Sequence, residues 1–224
     1  MSAVIGFIAQ PMGILLTFFY NLVGNYGVAI ILFTIVIKLA MYPLTHHQMK
    51  SQTNMQALQP KINEIKKKHA NNKEVMNQKI MELYQEEKFN PMGGCLPLLI
   101  QLPIIYGLFG LLREPDAYMT GTIITQGLQD SFFWVQNLSD PDVWILPILA
   151  GIATFFSFRM TSAKGGEGQP AMMKNMQYIF PVMIIWMGRS FPAGLTLYWF
   201  VSTLFQIGQQ FIINKVKAAK EDSK

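Results

Sequence analysis

The chain has 224 residues, of which 51% are hydrophobic and 14% charged, and its formal net charge is +5. Soluble domains carry about 25% charged residues, so this composition excludes an ordinary water-soluble globule and points to a chain solvated largely by lipid. The charge falls in blocks, with no Lys, Arg, Asp or Glu in residues 1–37, which excludes the evenly basic surface of a nucleic-acid binder.

Residues 1–23 are apolar enough to span a bilayer, but Gly6, Pro11 and Gly13 interrupt them, and only Gly24-Asn25 separates them from the next apolar run. The alternative is a helix lying in the interface. Such helices are supported by a basic polar face, which this one lacks, and the physics of the segment leaves both open. It also lacks the charged start of a secretory signal and the Arg-rich pattern of a transit peptide. Either the chain needs no such signal or one was removed ahead of this numbering.

Residues 26–44 read YGVAIILFTIVIKLAMYPL and form the first predicted span. A bilayer core takes about 20 apolar residues as helix. The β-branched run would be a poor helix in water, but in lipid the backbone must satisfy its own hydrogen bonds and helix is what remains.

Residues 45–90 are polar and read as two antiparallel helices forming a hairpin. Met55, Leu58, Ile62 and Ile65 are spaced 3, 4, 3, and Met76, Ile80 and Leu83 follow at 4, 3. These are narrow seams of the coiled-coil kind. Ala70-Asn71-Asn72 supplies the turn, and Pro60 kinks the first arm. Lys66, Lys67, Lys68, Lys73 and Lys79 fall on the exposed faces. Attraction to anionic lipid and docking of a ribosome or targeting partner explain them equally well.

The second span is predicted at 91–113, interrupted by Pro97 and Pro103. The single cysteine, Cys95, excludes a disulfide framework and reads as a small apolar residue near a membrane boundary. An outer loop follows at 114–142, a third span at 143–160 and a second polar loop at 161–175. The fourth span, 176–190, is short for a full crossing. The turn Arg189-Ser-Phe-Pro192 separates it from the fifth, 192–213, and 214–224 is a tail.

Loop charge sets orientation. The 46–90 block holds eight Lys against five Glu, a balance of +3, while 113–142 holds one Arg against five acids, or −4. Residues 159–174 carry three bases against one acid (+2), and 214–224 four Lys against two acids (+2). The signs alternate as five spans require, which places the hairpin, the second polar loop and the C-terminus in the cytoplasm and the start of the first span outside.

Lys38 is the one formal charge away from the ends of these spans, where Arg113, Arg159 and Arg189 lie. A cation at mid-membrane costs about 2.5–3.5 kcal/mol on insertion scales and usually faces an interior or a wet cavity. Snorkelling to the cytoplasmic headgroups is the alternative. Thr34 lies one turn earlier on the same face. Gln101 in the second span and Ser202, Gln206, Gln209 and Gln210 in the fifth also need a polar place to face, which a shared cavity or interhelical hydrogen bonding would provide.

Enzyme chemistry fails on inventory. No Asp, Glu or His lies in the spans, so no paired-aspartate protease or membrane Ser–His pair can be built. His46 and His47 are adjacent on a helix and point apart. Gly165-Gly166-Glu167-Gly168 is not followed by GK[ST] and is no phosphate-binding loop. No metal, nucleotide or other cofactor is expected.

Four segments carry a resemblance. They are Ile37–Leu44, Leu58-Gln-Pro-Lys-Ile62, Asn90–Pro103 (NPMGGCLPLLIQLP) and Phe191–Trp199 (FPAGLTLYW). In this order they resemble the bacterial YidC insertases of the YidC/Oxa/Alb family, and the likeness runs from about residue 15 onward. The resemblance implies an all-α membrane protein with five transmembrane helices around a hydrophilic groove open to the cytoplasm and to lipid. It implies a cytoplasmic hairpin, and an interfacial helix on the outer face for residues 1–25. It implies the compact type found in Gram-positive bacteria, in the plasma membrane with its N-terminus outside. The groove of the family usually carries an arginine where this chain has Lys38, which keeps the charge but loses the planar bidentate fork. By the same matching Gln101 and Trp199 line the groove, with Thr34 and Tyr198 near it and Ser202 and Gln206 along it.

The function so implied is insertion and folding of single- and double-spanning membrane proteins. The partners are nascent substrates and the bilayer, with the ribosome, targeting machinery or a Sec translocon reached through the hairpin. Two rivals remain: a transporter binding a small anion at Lys38, which an internal repeat would favour, and an assembly chaperone that holds membrane proteins without inserting them.

Overall fold

The computed structural model describes the backbone of residues 2–87, 96–120, 127, 130–162 and 171–221. Cys95, the Asn90–Cys95 part of the third motif and the Gly165–Gly168 loop lie outside the described residues. Within them the chain is all-helical: α1 (Ser2–Val23), α2 (Tyr26–Ala40), α3 (Tyr42–Lys68), α4 (Lys73–Glu86), α5 (Leu96–Arg113), α6 (Pro115–Tyr118), α7 (Ile145–Ser162), α8 (Ala171–Gly188) and α9 (Ala193–Glu221). The extended contact described is a lone antiparallel bridge between Phe132 and Val135.

Local chemistry sets the breaks. Gly24 takes φ +66°, the left-handed conformation that closes a helix C-terminus, and its N–H returns to the Tyr20 carbonyl at 2.8 Å. Asn25 then caps α2, its side-chain oxygen accepting from the Val28 N–H at 3.1 Å. Pro43 opens α3 in the first-turn position where its missing N–H costs nothing, and Met41 alone separates α2 from α3. Asn72 caps α4 by accepting from the Val75 N–H at 3.2 Å. Asp142 caps α7: Oδ1 accepts from the N–H groups of Trp144 (3.1 Å) and Ile145 (3.2 Å), and Oδ2 from Leu146 (2.9 Å).

Asp142 gives a pH-dependent prediction. Partial burial pushes its carboxyl up, but the Trp134 indole and the three backbone N–H groups outweigh this and hold it below the usual carboxylate range. A depressed folded-state pKa stabilises the fold above the unfolded pKa of about 4, and that contribution is lost as pH falls through the lower folded value. Asp142→Ala is expected to cost about 1 kcal/mol at pH 7. Thermal melts of variant and wild type should converge as the pH is lowered toward 3.

The helices pack in sequence around an incomplete ring. α8 lies on α7, α7 on α9, α9 on α2, α2 on α1 and α1 on α5, while α5 returns to touch α9. Among the described residues α5 and α7 form no packed interface, so the ring has a seam there. The core draws on α1 (Leu16, Tyr20), α2 (Tyr26, Ile30, Phe33), α5 (Leu108, Leu111) and α9 (Leu195, Tyr198). Met119, Val135 and Leu138 of the connecting segment close one end. Close approach demands glycine at position 27, because a Cβ there would collide with the Phe132 ring. A separate small cluster joins α3 to α4 through Leu58, Ile62, Leu83 and Tyr84, with Ile65 and Ile80 at its edge.

The outward faces are apolar. Phe7, Ile14, Phe18 and Leu22 of α1 are exposed, as are Ile148, Ile152 and Phe156 of α7 and Ile179, Val182 and Trp186 of α8. Exposed apolar area on this scale has no stable place in water. By length and apolarity one described stretch, Gly6–Val23 (mean hydropathy 1.4), could cross a membrane unaided, and Tyr26–Ala40 and Ile145–Met160 are shorter apolar helices.

Tyr26 is fully buried and its hydroxyl has no hydrogen-bond partner among the described residues. A buried, unpaired hydroxyl is destabilising, so Tyr26→Phe should raise stability by about 1 kcal/mol, readable as a higher melting temperature in lipid nanodiscs.

Candidate functional site: a buried lysine beside a polar recess

α2 presents Thr34 and Lys38 inward, one turn apart. Lys38 is 2% exposed, and its Nζ donates to Gln101 Oε1 of α5 at 3.3 Å, so the amine reaches toward α5 and not out to headgroups. The amide nitrogen of Gln101 donates in turn to the Tyr198 hydroxyl of α9 at 2.7 Å. Ser202 lies one turn further along the same face of α9 and is buried. Three helices are thus joined by one chain of polar groups, and Gln101 occupies its centre because a primary amide can accept on one side and donate on the other. The ion pairs formed among the described residues lie elsewhere, Lys61 with Glu87 and Lys79 with Glu82. Among those residues no carboxylate neutralises Lys38.

A small recess of about 40 Å³ opens beside this chain, lined by Gln101, Trp199, Ser202, Thr203 and Gln206. Trp199, Thr203 and Gln206 fall on one face because residues three and four apart on a helix are neighbours. The indole N–H of Trp199 donates to the Thr154 hydroxyl of α7 at 3.2 Å, and its ring lies 6.1 Å from that of Phe180 in α8. The wall toward α7 and α8 is therefore aromatic, and the wall toward α2 and α5 is polar.

Six of the seven residues singled out in the sequence meet here: Lys38, Gln101 and Tyr198 in the hydrogen-bonded chain, and Trp199, Ser202 and Gln206 on the recess, which Gln101 also lines. Thr34 is fully buried and spends its hydroxyl on the Ile30 carbonyl of its own helix at 2.6 Å. Thr203 and Thr154 were not anticipated. Thr203 adjoins Ser202, but a hydroxyl that can back-bond to its own helix, as Thr203 does to Trp199 O at 2.8 Å, gives no sequence signal of its direction. Further along α9, Gln210 bonds Asn214 at 3.0 Å, and the buried Gln209 Oε1 has no partner among the described residues.

With this geometry in place, the comparisons with known proteins are informative. A sequence model of the 60Kd inner membrane protein family matches residues 18–221. The membrane protein insertase YidC of Fusobacterium nucleatum subsp. nucleatum is 43% identical over 96% of this chain and 98% of its own length. The proteins of the same name from Geobacter metallireducens and Citrifermentans bemidjiense are 40% and 38% identical, over 96% and 95% of this chain. The chain spans 38% of the length of each of those two relatives. A solved structure, described as an active YidC insertase with its first transmembrane domain resolved, aligns with a TM-score of 0.67 and 31% identity, covering 87% of this chain and 43% of that one. The match to a family of inner membrane proteins over nearly the whole sequence establishes that this chain belongs to the 60Kd inner membrane protein family, the family of the YidC insertases.

Proposed function

We propose that the protein is a membrane protein insertase that uses the recess beside Lys38 as a transient hydrophilic groove for the polar segment of a client. The observation that carries this reading is the Lys38 ammonium, buried to 2% exposure and hydrogen-bonded to Gln101 alone among the described residues. An ammonium has three donors, so two are available to an incoming carboxylate.

In this reading α2, α5, α7, α8 and α9 span the bilayer, the α3–α4 pair and the C-terminus lie in the cytoplasm, and α1 lies along the outer interface. A nascent chain with one or two spans presents a short polar tail to be moved outward. Acidic groups in that tail are costly in lipid, and Lys38 offers them a counter-charge while Gln101, Ser202, Thr203 and Gln206 replace water. The seam between α5 and α7 then lets the apolar segment leave sideways into lipid. An outside-positive potential favours outward movement by about 2.3 kcal/mol per anionic charge per 100 mV. The exposed lysines of the α3–α4 pair are the surface for the ribosome, targeting machinery or translocon.

The test is reconstitution of the purified chain alone into liposomes with a single-span substrate bearing an acidic tail. Protection of the tail from external protease, rising with the amount of reconstituted protein, supports insertion. Binding of the substrate without protection would identify a holding chaperone instead and reject the reading.

A further inference from the structure

The segment that covers the N-terminal ends of α2 and α9 carries a feature that insertion does not use. Phe132 and Val135 exchange both backbone hydrogen bonds, at 2.8 and 2.9 Å, closing a two-residue turn with Phe133 and Trp134 at its corners. Phe133 takes φ +51°, a conformation that bulky residues rarely adopt and that such turns ordinarily assign to Gly or Asn. Its side chain is 83% exposed and that of Trp134 46%, so burial within the chain does not offset the strain. Strain of this kind persists where surrounding structure imposes it and clusters at functional surfaces.

The mount beneath the turn is rigid. The Phe132 ring packs on Gly27, the Asn25 side-chain amide donates to the Ser131 carbonyl at 3.3 Å, and Val135 and Leu138 are buried. The N–H groups of Ala193 and Gly194 donate to the carbonyls of Asp140 and Leu138, each at 2.8 Å. Two aromatic rings are thus held outward on a fixed base at one end of the bundle.

Their surroundings indicate what they meet. The exposed residues Trp144, Ile145, Ile148, Ile152 and Phe156 run down α7 from this corner as an uncharged stripe. The Trp134 indole N–H donates to Asp142 Oδ2 at 2.8 Å, which satisfies its polar edge and leaves its hydrocarbon face free. The Arg189 guanidinium lies 4.3 Å from the centre of the Trp144 ring. Aromatic rings with satisfied polar edges and a cation, placed at the end of an apolar stripe, are the composition of a membrane–water boundary.

We propose that the Phe133–Trp134 corner inserts into the outer leaflet between headgroups and acyl chains and anchors this end of the bundle at a fixed depth. The assignment of leaflet rests on the orientation proposed above; the depth does not. The test uses the full chain with Cys95→Ser and Phe133→Cys, carrying an environment-sensitive fluorophore, in phosphatidylcholine–phosphatidylglycerol vesicles. A matching label at the exposed Asp116→Cys is the reference. The label at 133 should emit to the blue of the reference, be quenched at least about twofold more by lipids spin-labelled high on the acyl chain, and resist aqueous iodide. Equal iodide quenching at both sites would overturn the anchor. So would shielding of position 133 that appears in native membranes and is missing in lipid vesicles holding this chain alone, which would indicate a protein partner. A membrane-impermeant thiol reagent at Asp116→Cys reads sidedness separately: labelling from the inner side alone would refute the orientation, whereas a shallow, wet label at 133 refutes the anchor itself.

Discussion

Lys38→Ala should reduce insertion of substrates with acidic translocated tails by roughly 10- to 100-fold, the equivalent of about 1.5–3 kcal/mol for a hydrogen bond to a charged group. Substrates with neutral tails should lose far less, because the recess lined by Gln101, Ser202, Thr203 and Gln206 still hydrates a polar backbone. Lys38→Arg should work as wild type: the charge is retained, and the guanidinium has donors for Gln101 and a carboxylate together. Lys38→Glu should be the worst of the series, since it places a like charge against the passing acid. Protease protection in proteoliposomes, with tails differing in one or two acidic residues, compares the three variants with wild type. If Lys38→Glu inserted acidic tails as efficiently as wild type, the counter-charge role would be wrong whatever the fold.

Phe33→Ala should be the most damaging of the simple truncations, at about 3 kcal/mol. Phe33 is fully buried on α2 in the cluster shared with α1, α5 and α9, and Phe→Ala in a packed core costs about 3–5 kcal/mol through lost contacts and the cavity left behind. The lower end applies because the unfolded reference in lipid is itself apolar, so lost packing contributes more than lost transfer from water. Thermal unfolding in nanodiscs should show the drop. Phe133→Ala, at a side chain 83% exposed, should change the midpoint little. Similar losses for both variants would contradict the placement of the core.

The helical character and the polar residues that meet were legible in the sequence, for physical reasons. In lipid an apolar run such as Tyr26–Ala40 has helix as its one way to satisfy its backbone, so even β-branched residues announce a helix there. A lone cation in such a run must find polar company, which is why Lys38 and Gln101 stand out from the residues alone, whereas Tyr198 enters through the family resemblance. The packing of Leu58 and Ile62 on Leu83 follows from three- and four-residue spacing. Other features leave no such trace. Thr154 hydrogen-bonds Trp199 across 45 residues, and nothing local to Thr154 distinguishes it from any other helical threonine. The turn at Phe132–Val135 violates its own signal, because a Phe stands where glycine or asparagine would have marked it. The seam between α5 and α7 is a property of packing order, which apolar patterning alone does not encode when lipid and protein interior are equally oily.

The junction at Met41 has a mechanical consequence. Its backbone is right-handed helical, at φ −84° and ψ −1°, and the Thr45 N–H reaches back to its carbonyl at 3.0 Å. α2 and α3 therefore meet at a stiff elbow and not at a free swivel. α3 has 27 residues and extends about 40 Å. Three residues before the elbow, Lys38 sits on the short arm of a lever whose long arm carries the lysine-rich surface, so a load at the far tip would tilt the ammonium relative to Gln101 without touching either.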